Sequence, residues 1–489
     1  MSLFPKDLGQ AHARLVLCAA LALVAAASIA GCGAGYRPVV TPITPSGPAS
    51  QPASNVVVIS VPSPTAQGIA TVANYSGDTV MATAPVGPSP ITFTLDETGS
   101  LAYSYNSDGT VTNIPATNQM QAKNITFTTL PSTARPVNLF SPSAGLWIAD
   151  LDGNVIDVLT GSPETFKLAI PVAPTPVTVA GPAVIGQRNY AITQGTVASG
   201  VDCNNAPTAA PAGEADGIEI ASFTVSSRIP LGKCPVYALQ STDGKRLFVL
   251  NRGSDTITVI NSQNNTLDAC VPFVNQIGRT VTCHPSLPLS TAAGLTGAGV
   301  PAVAGPVYAE YNSTTGQLLV ADYDGNAVNV IDVSLDEFGD DSATFGTTFT
   351  IPVGANPASV TALYDGSRAY SANQADGTVT VINLTSHTAE KTVPVTGHPR
   401  TVVSTQNSIY GKVYVASPDS PYLTILRTDQ DIVDTTVLVQ GNVIDVRTST
   451  QNATSGNLIN TSRRPGYGQP CYLPGAAASI SYETCTTVP

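Results

Sequence analysis

The sequence is poor in charged and aromatic residues. Only 11% of its 489 residues are Asp, Glu, Lys or Arg, 6% are aromatic, and there is a single tryptophan. The 21 Lys and Arg residues are outnumbered by 33 Asp and Glu, which gives a net charge of -12. Because nucleic-acid binding requires a positive surface, we expect no nucleic-acid partner. Glycine (41 residues) and proline (39 residues) are abundant instead, and such a composition favours short strands and turns over helices.

Pairs of prolines five positions apart recur along the chain. Most follow a β-rich stretch, and successive pairs are 40 to 71 residues apart. The shorter spacings match the roughly 40 to 50 residues of a four-stranded propeller blade, and the longer ones indicate blades with insertions. Proline fixes φ and lacks an N–H, so each pair is predicted to end one strand and redirect the chain into the next blade. The pairs are Pro85/Pro90, Pro131/Pro136, Pro171/Pro176, Pro230/Pro235, Pro301/Pro306, Pro352/Pro357 and Pro394/Pro399.

A second motif recurs between the proline pairs. Arg246-Leu-Phe-Val-Leu-Asn251 is followed by a Gly/Asp turn and by Thr256-Ile-Thr-Val-Ile-Asn261, which predicts two strands joined tightly. Phrases such as Phe248-Val-Leu-Asn251, Val320-Ala-Asp322 and Tyr414-Val-Ala-Ser417, each before such a turn and strand, resemble the YVTN-repeat β-propellers of bacterial surface and periplasmic proteins. The resemblance covers roughly residues 70–430 and implies an all-β propeller fold. It implies little about function, because propellers host many unrelated activities.

The number of blades depends on how the N-terminal strands are interpreted. Seven proline-pair linkers predict a seven-bladed β-propeller if residues 79–86 are a lone strand that completes the last blade. They predict eight blades if residues 55–86 form a blade of their own. We favour seven, because the motif around Asn74 lies only 32 residues before its next copy at Asn106. Residues 442–450 supply a possible closing strand in either case.

The N-terminus has the features of an exported lipoprotein. Lys6 and Arg14 precede an apolar run over residues 15–30, which is short for a transmembrane helix. The run ends in Ile29-Ala-Gly-Cys32, which resembles the lipobox of bacterial lipoproteins and implies that Cys32 is lipidated. Position 33 is Gly rather than Asp, so the resemblance favours the outer membrane of a Gram-negative bacterium. Without residues 1–31 the chain keeps 19 basic and 32 acidic residues, a net charge of -13.

These features divide the chain into four parts. Residues 1–31 are predicted to be a lipoprotein signal peptide, and residues 32–54 a flexible tether rich in Pro, Ser and Thr. Residues 55–440 are predicted to form the propeller. Residues 441–489 are predicted to be a C-terminal tail with a disulfide loop.

Six cysteines remain after the signal peptide and Cys32 are set aside. An even number in an exported chain predicts disulfides, and six cysteines allow 15 pairings. Propeller topology favours Cys203 with Cys234, because an insertion between the second and third strands shares a face with the inter-blade linker. The remaining cysteines bracket local segments, which predicts the pairs Cys270/Cys283 and Cys471/Cys485.

Catalytic and metal-binding signatures are weak. None of His284, His387 and His398 lies near a Ser or Cys in a nucleophile-elbow or catalytic-cysteine motif. The sequence also has no C-x-x-C motif and no histidine pair that would indicate a metal site. Two Asp-rich turns, at residues 150–154 and 322–326, resemble calcium loops but lack the Glu of an EF-hand and coincide with hairpin turns. We therefore predict no catalytic residues, no metal and no cofactor. Trp147 is predicted to pack between blades.

Polar residues recur at the predicted ends of the second strands. They would form a ring around one mouth of the propeller, on the same face as the insertions near residues 194–216 and 275–300. Such residues commonly cap turns through side-chain to backbone hydrogen bonds. The alternative is a polar mouth that binds a ligand or partner. The residues are Asn106, Asp150, Asn251, Asp322 and Asn373.

Two classes of function fit these observations. The first is a membrane-tethered, non-enzymatic propeller that binds an envelope protein or a small ligand at the cell envelope. The second is a propeller enzyme of the lactonase-like or cofactor-dependent oxidoreductase type, which would need convergent carboxylates or histidines at the mouth. The repeated positions are mostly Asn and aliphatic residues, so the first class is favoured.

Overall fold

The computed structural model describes residues 55–448, apart from residues 75–76, 97–98, 118, 132–133, 142–144, 182–187, 197–202, 204–206, 290–302, 364 and 406–410. These residues form eight antiparallel blade sheets arranged as a ring, seven of four strands and one of five, which is an eight-bladed β-propeller. In the described part of the chain, no helix has the length and apolar character needed to cross a membrane.

The first four blades run in chain order. The N-terminal side of the described chain supplies three strands of blade one, and the following segments supply all four strands of blades two, three and four. Two short 3-10 helices, Ala122–Asn124 and Pro207–Ala209, lie in connecting segments. The strands are β1 (Asn55–Val61), β2 (Gln67–Asn74) and β3 (Thr79–Pro88); β4 (Pro90–Leu95), β5 (Leu101–Asn106), β6 (Thr110–Pro115) and β7 (Thr126–Thr129); β8 (Pro136–Phe140), β9 (Leu146–Asp150), β10 (Val155–Gly161) and β11 (Glu164–Pro171); β12 (Pro176–Ala180), β13 (Arg188–Thr193), β14 (Ala212–Glu219) and β15 (Thr224–Lys233).

The last four blades follow the same order, except that the outer strand of blade five is split in two. Both halves, β19 and β22, pair with the third strand of that blade, and a small hairpin, β20 and β21, lies between them. The strands are β16 (Pro235–Gln240), β17 (Arg246–Asn251), β18 (Thr256–Asn261), β19 (Thr266–Leu267), β20 (Phe273–Val274), β21 (Thr280–Val281) and β22 (Ser286–Pro288); β23 (Pro306–Asn312), β24 (Gln317–Asp322), β25 (Ala327–Asp332) and β26 (Thr348–Pro352); β27 (Pro357–Ala362), β28 (Arg368–Asn373), β29 (Thr378–Asn383) and β30 (Thr388–Pro394); β31 (Thr401–Ser404), β32 (Lys412–Ala416), β33 (Tyr422–Arg427), β34 (Ile432–Leu438) and β35 (Asn442–Thr448).

The two ends of the described chain close the ring. Strand β35 pairs with β1, with Val56 opposite Thr448, and becomes the inner strand of blade one. The all-β propeller prediction is confirmed with the alternative count of eight blades, and the favoured count of seven is wrong. The short spacing between Asn74 and Asn106 led to the wrong count, because the two residues mark different turns. Asn106 precedes the turn between the second and third strands of its blade, whereas Asn74 precedes the turn between the third and fourth strands of blade one. The propeller therefore extends to Thr448 rather than ending at residue 440.

The proline pairs connect the outer strand of one blade to the inner strand of the next. Pro171, Pro352 and Pro394 end outer strands, while Pro235 and Pro357 begin inner strands. Successive inner strands contact one another around the ring. A register shift follows the proline at the start of several inner strands, for example between Pro235 and Tyr237. The prolines thus turn the chain towards the axis once per blade.

Burial follows the position of a strand in its blade. The first three strands are buried on both faces, as in β16 and β17, because neighbouring blades cover them. The outer strands alternate, as in β15, because one face meets solvent. Trp147 on blade three is fully buried, and its ring lies 5.8 Å from that of Phe223 on blade four. It therefore packs between blades, as predicted.

Two disulfides link residues of the described chain, so the prediction of disulfide bonds is confirmed there. Cys203, in the insertion between β13 and β14, bonds to Cys234 immediately before β16. Cys270 bonds to Cys283 and closes the hairpin insertion of blade five. Cys471 and Cys485 lie outside the described residues, as do Cys32 and the tether.

Candidate functional site

The five polar residues predicted to form a ring end the second strand of five blades. All five side chains are buried, with at most 3% of the residue surface exposed at Asp150 and none at the other four. They lie beneath the turns to the third strands, on the face that also carries the inter-blade linkers. The residues are Asn106 on β5, Asp150 on β9, Asn251 on β17, Asp322 on β24 and Asn373 on β28.

The asparagines bond to the start of the following strand. Asn251 Nδ2 lies 3.2 Å from Thr256 Oγ1 and 2.9 Å from Thr258 Oγ1. Asn373 makes the equivalent bonds to Thr378 and Thr380 at 3.0 and 2.8 Å. In blade two, Asn106 Nδ2 lies 2.8 Å from Thr112 Oγ1. One amide therefore joins the ends of two strands across each turn.

The aspartates at the same position have different partners. Asp150 Oδ1 accepts hydrogen bonds from the backbone N–H groups of Arg135, at 2.7 Å, and Gly153, at 3.2 Å. Burial raises the pKa of Asp150 despite these bonds. In blade six, Asn329 Nδ2 donates to Asp322 Oδ2. Burial, followed by the charge of Asp255, raises the pKa of Asp322 well above its usual range.

These contacts make the five residues turn supports. Their hydrogen bonds given above run to strands of their own blade or to the adjoining linker, so a ligand at the mouth would first contact the loops above them. Direct contact between these side chains and a ligand stays a prediction. The repeated Thr-x-Thr that follows each Asn was the signal in the sequence that could have identified the supporting role.

The insertion of blade five protrudes from the outer edge of the ring. Residues 268–285 leave β19 and return to β22, and they pack against the segment between β25 and β26 of blade six. That segment lies on the face opposite the Asn/Asp turns. The expectation that the whole insertion near residues 275–300 shares the face of the ring is therefore wrong for residues 275–285, because the insertion interrupts an outer strand and not an inter-blade loop.

A buried charge network anchors this insertion. Arg246 Nη2 lies 3.0 Å from Asp341 Oδ1 and 3.3 Å from Asp268 Oδ1, and all three side chains are buried. His284 Nδ1 lies 2.8 Å from Asp341 Oδ2. Burial raises the pKa of Asp268 to about 6, opposed by Arg246 and reinforced by Asp341. The network ties the two ends of the insertion to blades five and six.

A further contact holds the tip of the insertion. Arg279 Nη2 lies 2.6 Å from Asp336 Oδ2 and donates to the carbonyl of Asp341 at 2.7 Å. The hairpin nevertheless exposes apolar side chains. Val271 is 86% exposed, Val274 67% and Ile277 58%, and Phe273 is also exposed. The insertion is thus a covalently closed, anchored hairpin with an apolar outer surface.

A polar pocket of about 340 Å³ lies beside the charge network, between blades five and six. Lys245, Arg246 and Asp336 line it together with Tyr311 and Ser313. Burial, with the charges of Asp243 and Asp332, raises the pKa of Tyr311 to about 12, so the phenol stays protonated at neutral pH.

The histidines are dispersed over the ring. His284 pairs with Asp341, His398 with Asp419, and His387 stacks on Phe349. Within the described residues, no group of three or more His, Cys, Asp or Glu is placed to hold a metal ion.

Comparisons with known proteins support the fold. No protein-family model matches the sequence, and no curated protein matches it. The structure of apo AztD from Citrobacter koseri is 12% identical, with a TM-score of 0.53 over 81% of this chain and 97% of that one. Dihydro-heme d1 dehydrogenase NirN, in complex with DHE, is 13% identical, with a TM-score of 0.54 over 84% of this chain and 79% of that one. At these identities the similarity establishes the β-propeller fold alone.

Proposed function

We propose that this protein is a membrane-tethered, non-enzymatic β-propeller that serves as an interaction module at the cell envelope. The observation that carries the proposal is the hairpin of residues 270–283, which presents exposed Val and Ile side chains from a closed and anchored insertion. We further propose that this hairpin contacts an envelope protein with a complementary apolar surface.

The apolar side chains of the hairpin favour association. Covering one large apolar side chain removes it from water and stabilises a complex by roughly 1.5–3 kcal/mol before the costs of association. A loop that is already ordered loses less conformational entropy on binding. The Cys270–Cys283 disulfide and the Arg279–Asp336 ion pair supply that order. The hairpin is therefore suited to recognition as a preformed element.

Placement at the envelope rests on the N-terminal sequence. The lipobox-like Ile29-Ala-Gly-Cys32 supports lipidation at Cys32, and the following Pro/Ser/Thr-rich residues support a tether. We propose that the chain is a lipoprotein of the YVTN-repeat type, anchored in the outer membrane of a Gram-negative bacterium. Replacing Cys32→Ser should abolish acylation and release the propeller from membranes or leave the precursor unprocessed. Unchanged detergent-phase partitioning would contradict the anchor.

The interaction proposal is tested by chemical cross-linking in intact cells followed by affinity purification. The double variant Val274→Ser/Ile277→Ser should recover at least tenfold less of the cross-linked partner than the wild type. Leu438→Ser is the matched control, because Leu438 is 61% exposed on the outer strand of blade eight. Equal recovery from the hairpin variant and the control, both with wild-type thermal stability, would exclude the hairpin as the contact surface.

A further inference from the structure

The inner strands of the propeller leave one backbone edge without a strand partner. Polar side chains of the neighbouring inner strand satisfy some of these groups. At the seam between blades seven and eight, Ser359 Oγ donates to the carbonyl of Arg400 at 3.0 Å and accepts from the N–H of Val402 at 3.0 Å. At the seam between blades three and four, Asn138 Oδ1 accepts from the N–H of Val179 at 3.1 Å.

The seam between blades eight and one is built differently. Thr401 lies two residues after a linker proline, as Ser359 does, but its buried hydroxyl has no hydrogen-bond partner within the described part of the chain. The corresponding backbone groups are bound by charged side chains instead. Arg400 Nη2 donates to the carbonyl of Ile444 at 2.7 Å, and Asp445 Oδ1 accepts from the N–H of Val446 at 2.9 Å.

Two arginines at this seam share one carboxylate. Arg447 Nη1 lies 2.7 Å from Asp445 Oδ1, and Arg400 Nη2 lies 4.0 Å from Asp445 Oδ2. All three side chains are buried, with 3% or less exposed. Nε and Nη1 of Arg400, and Nε and Nη2 of Arg447, have no hydrogen-bond partner among the described residues. The seam therefore holds two buried cations, one anion and several unpartnered donors.

This imbalance cannot be relieved by loss of a proton, because arginine stays charged in proteins. Burial of an unpaired charge is strongly unfavourable. The buried Arg246 shows the opposite balance, since two carboxylates, Asp268 and Asp341, face its guanidinium. Among the described residues, the closing seam has one carboxylate for two guanidinium groups. A guanidinium group presents parallel N–H donors that match the paired oxygens of a carboxylate or phosphate.

We propose that Arg400 and Arg447, with the hydroxyl of Thr401, form an oxyanion-binding site on the inner wall of the propeller at the closing seam. Its ligand is a small molecule or a group that carries a carboxylate or a phosphate. Asp445 holds the two guanidinium groups and competes with the ligand for them. The site does not depend on the hairpin of blade five.

The test measures binding of sodium acetate and sodium phosphate to the mature protein by isothermal titration calorimetry, with thermal unfolding as a second readout. Sodium chloride at matched ionic strength is the reference. At least one of the two oxyanions should bind and raise the melting temperature above the chloride value. Arg447→Gln should weaken that binding at least tenfold. Asp445→Asn should strengthen it, because it removes the competing carboxylate and keeps both arginines.

Arg228→Gln is the control, because Arg228 is an exposed arginine on another blade and should leave anion binding unchanged. If Arg447→Gln does not fold, the wild type and Asp445→Asn still decide the question. Equal effects of acetate, phosphate and chloride on the wild type would overturn the proposal. So would anion binding that is unaffected, or weakened, by Asp445→Asn.

Discussion

Blades three and six use the same turn position with different chemistry. In blade six, Asp322 faces Asn329, whose amide donates to Asp322 and whose Oδ1 accepts from Thr350 Oγ1 at 2.5 Å. In blade three, the residue equivalent to Asn329 is Asp157, because Val155 and Ala327 pair with the two strand ends in the same register. Asp157 Oδ2 is buried and has no hydrogen-bond partner among the residues that the structure describes. The pKa of Asp157 is raised to about 7 by burial and by the charge of Asp150.

The comparison shows how one amide determines whether a buried carboxylate is tolerated. An Asp–Asn pair buries one carboxyl group, to which the amide donates, whereas an Asp–Asp pair buries two carboxyl groups, so burial and mutual repulsion favour a proton on one member. The stability of blade three should therefore depend on pH near neutrality through Asp157. Its counterpart in blade six, Asn329, does not titrate in this range. Two substitutions test this contrast, and a third comparison tests two blades that carry a neutral Asn at the same turn position; they follow from the largest expected effect to the smallest.

Asn329→Asp converts blade six into the arrangement of blade three. The variant loses the donor to Asp322 and buries a second acid beside it, so we expect a loss of about 3–5 kcal/mol in unfolding free energy at pH 8. The loss should shrink at pH 5, where one carboxyl is protonated. Urea unfolding at both pH values measures it, with the exposed Asn264→Asp as the control. A loss that is equal at pH 5 and pH 8 would contradict the shared-proton explanation.

Asp157→Asn converts blade three into the arrangement of blade six. Because the folded-state pKa of Asp157, about 7, lies above the unfolded value, its stabilisation is present below pH 4 and is lost as the pH rises through 7. The variant avoids this loss and should be more stable than the wild type at pH 8 by roughly 2–4 kcal/mol. Urea unfolding from pH 4 to pH 8 should show the two curves diverging. Parallel curves over this range would refute the assignment.

The smallest expected effect is a difference in stability loss between two turns that carry a neutral Asn, at Asn373 and Asn251. Asn373 Oδ1 accepts from Ser371 Oγ at 2.7 Å, whereas Asn251 Oδ1 has no hydrogen-bond partner in the described part of the chain. Both amides donate to two threonines, so Asn373→Ala should cost about 1 kcal/mol more than Asn251→Ala. Neither loss should depend on pH between 5 and 8. Chemical denaturation of the two variants measures the difference, and a larger loss at Asn251 would reverse the ranking.

Local patterns in the sequence predicted most of the propeller. The proline pairs and the Asn-turn-strand motif identify the linkers and central strands of the later blades, because these features repeat within about 50 residues. The count of eight required the pairing of β1 with β35, which joins opposite ends of the described chain. Strand β1 carries no Asn at its end, so no local signal marks it as the second strand of a blade.

The functional features were harder to predict from the sequence. The burial of the Asn/Asp ring depends on neighbouring blades that cover the turns. The charges of Arg400 and Arg447 meet only because the ring closes, since these residues belong to different blades. The outward position of residues 268–285 depends on the division of one outer strand into β19 and β22. Each feature arises from long-range packing, which spacing along the chain does not report.

Closure by the last strand has a consequence for biosynthesis. The three strands of blade one that are made first have no inner partner until β35 has been synthesised, although the blades between them can form in order. The edge of β1 therefore stays open throughout synthesis of the intervening residues. A chain that stops short of Asn442 would carry seven complete blades and an unpaired strand edge, a form prone to pair with other chains. One exposed strand edge would thus distinguish truncated chains from those that contain β35.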